Sequence, residues 1–208
     1  MASYEALGGT GCSIGNLTFT DFEYTNFVGV ATGAVPTGVA VVSYSAVPDT
    51  GVAVVPMPAA NNNGILFSSG GWNAFGGEGA ESFVFFTVTA SDTVIEDATL
   101  LIAGGAIDNA TGRVDELLLP IYLLGANVTS PFNHVIFAPI SQLITDTDIF
   151  VAAAADGLVP SYTTISSVLE EFSTPGVPEL GTWAMMIIGF GFVGLRLRRR
   201  HHLVSPTA

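Results

Sequence analysis

Residues 82–90 read Ser82-Phe83-Val84-Phe85-Phe86-Thr87-Val88-Thr89-Ala90. In a period-two strand Val84, Phe86 and Val88 share one face, while Phe83, Phe85, Thr87 and Thr89 share the other. A strand that begins apolar on both faces suits the centre of a sandwich. Outward from it, short apolar runs alternate with turn signals. Further strands are expected at residues 17–24, 39–44, 51–55, 64–68, 99–103, 114–119, 134–137 and 149–153. Turns are expected at Pro48-Asp49, at residues 61–64 (Asn-Asn-Asn-Gly), at 70–73 (Gly-Gly-Trp-Asn) and at 108–112 (Asp-Asn-Ala-Thr-Gly). In residues 162–172, Ile165, Val168, Leu169 and Phe172 fit helical spacing. Thr163, Thr164, Ser166 and Ser167 favour an extended chain, and we read a strand. The expected fold class is all-β, a β-sandwich over residues 1–172.

The composition agrees. Apolar residues make up 49% of the 208 and charged residues 11%, unlike the polar, charge-rich make-up of a disordered chain. The 24 glycines and 11 prolines suit short strands joined by turns. The single cysteine, Cys12, excludes an intrachain disulfide and a cysteine-based zinc site. Cys12 is expected as a buried thiol near the first strand.

The charge is unevenly placed. The chain has 18 acids, five arginines and no lysine, net −13. Residues 1–178 hold 17 acids against Arg113 alone, net −16. Residues 179–208 hold Glu179 against Arg196, Arg198, Arg199 and Arg200, net +3. A domain with one base cannot neutralise a run of phosphates, so nucleic acid is excluded as a partner.

The basic cluster follows an apolar run. Residues 180–195, LGTWAMMIIGFGFVGL, contain 16 uncharged residues in succession. As a helix they span about 24 Å, against about 30 Å of bilayer hydrocarbon. Snorkelling of Arg196 brings Leu197 into the boundary and extends the span to about 27 Å. Trp183 stands where an interfacial aromatic belongs, and the arginines place the C-terminus in the cytoplasm. The expected order is a linker at 173–179, a single transmembrane helix at 180–197 and a basic tail at 198–208.

The segment from Val177 to Gly194, with its arginines, resembles the PEP-CTERM sorting signal. More narrowly it is similar to the variant with a Pro-Glu-Pro-x-x-Trp-Ala start and a Met-Met…Gly-Phe-Gly core. Pro178, Glu179, Trp183, Ala184, Met185, Met186, Gly189, Phe190, Gly191 and Gly194 match; Leu180 stands where the family usually has its second proline. The resemblance implies export to the periplasm of a Gram-negative, exopolysaccharide-producing bacterium and retention in the inner membrane. It also implies cutting near the Pro-Glu motif by exosortase, a membrane-embedded cysteine protease, followed by transfer to the envelope or matrix. The segment type also carries a label taken from ice-binding proteins that end in it. The opening stretch is similar to the start of some secreted PEP-CTERM ectodomains, through Cys12, Ile14, Gly15, Phe19 and Phe22, with Asn16 for the usual Asp. Residues 1–9 show no basic n-region or apolar core, so an outward-facing domain leads us to expect a leader encoded upstream of Met1. Tail-anchored insertion is the alternative, and it would translocate the arginines against the positive-inside rule.

The expected role is structural or interactive, without catalysis or a cofactor; a polysaccharide-binding module and a carboxylate hydrolase are the alternatives. A Ser-His-Asp triad would have to use His134, the one histidine before the tail. For a hydrolase the carboxylates on offer are Glu78/Glu81, Glu96/Asp97 and Asp115/Glu116, but neighbours in a strand point to opposite faces. Asp108, Asn109, Thr111, Asp115 and Glu116 could offer oxygens to Ca²⁺, though without EF-hand order; a solvated hairpin loop is the preferred reading. Trp72 is the candidate ligand residue, with Phe75, for sugar stacking; an aromatic plug in the sandwich end is preferred. Thr-x-Thr at 18–20, 87–89 and 145–147 has no regular period, so it builds no repeat.

Overall fold

The computed structural model describes residues 1–27, 43–44, 51–58, 62–120, 122–155 and 161–175, and residues 186, 188 and 190 near the C-terminus. The chain divides into two compact units, Met1–Pro175 and Gly176–Ala208.

The first unit is all-β. Its first sheet contains β1 (Cys12–Ile14), β2 (Leu17–Phe27), β3 (Ser43–Tyr44), β7 (Glu78–Ala90), β9 (Ala110–Leu119), β10 (Tyr122–Asn127) and β12 (Gln142–Ala153). Its second contains β4 (Val52–Met57), β5 (Asn62–Ser69), β6 (Asn73–Phe75), β8 (Ile95–Ile107), β11 (Phe132–Ile140) and β13 (Tyr162–Ser173). The orders are β1-β2-β7-β12-β9-β10 and β11-β8-β13-β5-β4, with β3 beside the start of β7 and β6 beside the start of β13. Pairing is antiparallel except between β3 and β7. A one-turn helix, α1 (Ala2–Glu5), leads in.

The stretch 82–90 lies in β7, flanked by β2 and β12. Val84, Phe86 and Val88 are buried between the sheets, and Phe83 and Phe85 are half-buried on the outer face. Phe86 is the hub of an aromatic cluster, with ring centroids 5.5 Å from Phe22, 5.8 Å from Phe67, 6.0 Å from Phe19 and 6.3 Å from Phe172. These rings come from both sheets, so one core joins them, and each buried ring contributes roughly 2–3 kcal/mol of transfer energy. In β2 a bulge between Thr20 and Glu23, with Asp21 at φ 56°, resets the alternation. Phe19 and Phe22 therefore both face the core although three positions separate them.

The expected strands appear, mostly longer than the sequence suggests. Residues 162–172 are strand, and of the expected 39–44 only Ser43 and Tyr44 are described. The Pro48-Asp49 turn lies outside the described residues. β1, β6 and β10 were not anticipated. Two turn assignments are corrected. Residues 62–64 belong to β5 and pair with residues 171–173. Gly64 permits this, because a Cβ there would lie 2.2 Å from the Glu170 carbonyl oxygen. Asp108 and Asn109 carry the chain from the second sheet to the first, so no hairpin closes there.

Candidate functional site

Trp72 is fully buried, so it offers no stacking surface to a sugar. Its Nε1 donates to Ser82 Oγ at 3.2 Å, and that hydroxyl also pairs with the Tyr24 hydroxyl at 2.9 Å. The indole is a plug whose one polar atom is satisfied. Phe75, three residues on, is exposed beside Tyr162 on the outer face of the second sheet. His134 lies on that outer face, Nε2 3.5 Å from Asp97 Oδ1. Among the described residues no serine or threonine hydroxyl bonds its ring, and no three His, Cys, Asp or Glu side chains converge to hold a metal ion. Asp115 and Glu116 point to opposite faces of β9, which separates the oxygens proposed around the 108–112 turn.

Glu116 enters a different arrangement. It and Glu170 are each 0% exposed. Glu116 pairs in register with Thr147 in the first sheet, and Glu170 reaches across from the second. Thr147 Oγ1 donates to Glu170 Oε1 at 2.8 Å, while both Glu116 carboxyl oxygens and Glu170 Oε2 are buried without a hydrogen-bond partner. Burial pushes both groups up, and the charge of Glu170 pushes Glu116 further, so the protonated form is favoured most at Glu116. Their register neighbours on the inner faces are Leu100 and Ile65 beside Glu170, and Leu124 and Thr147 beside Glu116; among the described residues no cation pairs with either carboxyl. The sequence carried this signal: Val114-x-Glu116-x-Leu118 and Val168-x-Glu170-x-Phe172 each set a glutamate on the apolar side of a strand.

The outer face of the first sheet is acidic. One register row runs Glu81, Phe150, Arg113, Asn127; the next runs Thr25, Phe83, Asp148, Asp115, Gly125. Asp148 and Asp115 are direct cross-strand neighbours of like charge, which is unfavourable. Arg113 answers them: Nη1 is 2.5 Å from Asp115 Oδ2, Nη2 is 3.8 Å from Asp148 Oδ2, and the guanidinium lies 5.0 Å above the Phe150 ring. Burial first, then Glu81, pushes the Asp148 carboxyl up to about 7, with Arg113 opposing. Burial also raises Glu81. Beside Arg113 opens a cleft of about 480 Å³, lined by Thr111, Asp115, Gly125, Asn127 and Thr129 among others. Its guanidinium, carboxylate, amide and hydroxyl groups can donate to and accept from a hydroxylated ligand.

In the second unit Met186, Ile188 and Phe190 are helical and exposed by 46%, 52% and 73%. Met186 and Phe190 share a helix side and Ile188 lies opposite, so apolar surface is exposed on both sides. Pro178, Glu179, Trp183, Ala184, Met185, Gly189, Gly191, Arg196, Arg198, Arg199 and Arg200 lie outside the described residues. Among the described residues no helix is long and apolar enough to cross a membrane. No protein-family model matches this chain, and no curated protein matches it either.

Proposed function

We propose that the chain is an exported, membrane-anchored protein of PEP-CTERM type, sorted to the cell envelope or exopolysaccharide matrix, where its β unit has a structural or interactive role. The β-sandwich is the ectodomain, first in the periplasm. Residues 180–197 cross the inner membrane, and Arg196, Arg198, Arg199 and Arg200 hold the tail in the cytoplasm. Exosortase is the processing partner, acting at Pro178 and Glu179. The observation that carries this reading is an order: Pro-Glu motif, apolar run with Trp183, then arginines. Exposed apolar side chains on opposite sides of a helix, at Met186, Ile188 and Phe190, support it, because lipid would cover them. The cleft beside Arg113 favours a second reading, a polysaccharide-binding module, now without Trp72.

Mass spectrometry of the protein from matched strains with and without an exosortase tests the sorting. The expected result is loss of the C-terminal segment only where the protease is present, and none in a variant carrying both Pro178→Ala and Glu179→Ala. Equal processing in the strain without the protease, or an intact chain in the strain with it, contradicts the proposal.

A further inference from the structure

The outer face of the second sheet is divided by charge. At one end stand Asp97, Glu171 and His134. From the next register row to the far end of β8 the outward side chains among the described residues carry no charge. The first of these rows is Phe132, Leu101, Leu169, Leu66 and Val55, apolar across five strands. Phe132, Leu101 and Val55 are exposed, and Leu66 and Leu169 are half-buried. The following row, Ala103, Ser167, Ser68 and Ala53, is small. After a second small row, Gly105, Thr164 and Asn73, the last, Ile107, Tyr162 and Phe75, is again large and exposed. The acids Glu23, Glu81, Asp115, Asp146 and Asp148 stand on the outer face of the other sheet.

We propose that this uncharged face is where two copies of the chain pair, sheet against sheet. This goes beyond the sorting proposal and does not depend on it. A copy is favoured as the occupant by electrostatics. Two units of net −16 repel wherever their acids approach. Stacked through the uncharged faces, the two acidic faces are separated by about three sheet spacings, roughly 30 Å, against a screening length of about 8–10 Å. Pairing through the acidic face would bring the same charges together. Shape agrees as well. Large rows flanking two small rows give ridges and a furrow, which is how facing sheets interdigitate. The area sets the strength. Five strands span about 19 Å, and six residues along β8 about 20 Å, so each copy contributes roughly 400 Å². The total of about 800 Å² falls below the range of stable interfaces and in that of transient contacts, so the pairing is weak and reversible.

The test uses the full chain in detergent, with Cys12→Ser as background so that one introduced cysteine reports. Ala103→Cys stands on the uncharged face and Thr25→Cys on the acidic face. A bismaleimide reaching about 10 Å matches the spacing of stacked sheets. Ala103→Cys should give crosslinked dimer and Thr25→Cys none. Adding Leu101→Lys should cut the crosslinked fraction about tenfold, since an unpaired charge buried at the contact costs at least 1.4 kcal/mol. Leu123→Lys, on the other sheet, should leave it unchanged. If circular dichroism shows Leu101→Lys unfolded, Val55→Lys at the edge of the same row replaces it. Equal crosslinking at both cysteines, or a dimer indifferent to both lysines, overturns the proposal. So does a neutral glucan that protects Ala103→Cys while the chain stays monomeric, because the face would then belong to a glycan.

Discussion

Glu116 and Glu170 put two carboxyls into the core of a unit that has one arginine and no lysine, and that arginine lies on the outer face. The pair survives by keeping a proton, and this fixes the direction of its pH dependence. An unfolded glutamate titrates near pH 4.3. Below that value the pair is protonated in both states and contributes nothing. Above it the unfolded chain releases protons that the folded chain retains. Stability then falls as pH rises toward the raised native values. Asp148 adds the same sign between about pH 4 and about pH 7. Glu116→Gln removes the more strongly raised of the two carboxyls, and with it the like charge that Glu170 would meet on ionising. Its melting temperature should exceed that of the parent by several degrees at pH 8, about 2–4 °C per kcal/mol, and match it at pH 4. An equal loss at both values, measured by thermal denaturation, would mean that protonation of Glu116 is not what the core responds to. The pair was legible in pattern and missed in practice, because a search for neighbouring acids looks along the strand. The partner of Glu116 is 54 positions away, and only the fold brings it near.

The strands were the most legible level. Alternation in residues 82–90 gave both the inward set and the central place of β7. What sequence misread were positions where a turn signal lay within pairing reach. Asn62, Asn63 and Gly64 look like a turn because asparagine and glycine favour turns locally; cross-strand bonds to β13 overrule that preference. β6 hides in the Gly-Gly-Trp-Asn signal for the same reason, and β10 lacks β-branched residues. Gly64 tests this at the element scale. Gly64→Ala places a methyl against the Glu170 carbonyl and must part β5 from β13. The expected cost is about 2–3 kcal/mol in urea unfolding, at the upper end of overpacking changes. A change under about 0.5 kcal/mol, the usual surface value, would contradict the register given for β5.

At the scale of the molecule, the charge count separates into three parts. Two of the acids are buried between the sheets, most of the outward ones on the strands crowd one face, and four of the five arginines follow the apolar run. The division between residues 1–178 and the tail was visible in the sequence. The division between the faces of the sandwich was not, because it depends on strand order. The central claim is that the β unit lies outside the inner membrane and the arginine tail inside. Labelling of spheroplasts with a membrane-impermeant maleimide tests it most directly. The full chain carries Cys12→Ser with either Thr25→Cys or Ser205→Cys, in a strain without exosortase. The account predicts that Thr25→Cys is labelled in intact spheroplasts and Ser205→Cys only after lysis. Labelling of Ser205→Cys in intact spheroplasts, or protection of Thr25→Cys until lysis, would contradict it.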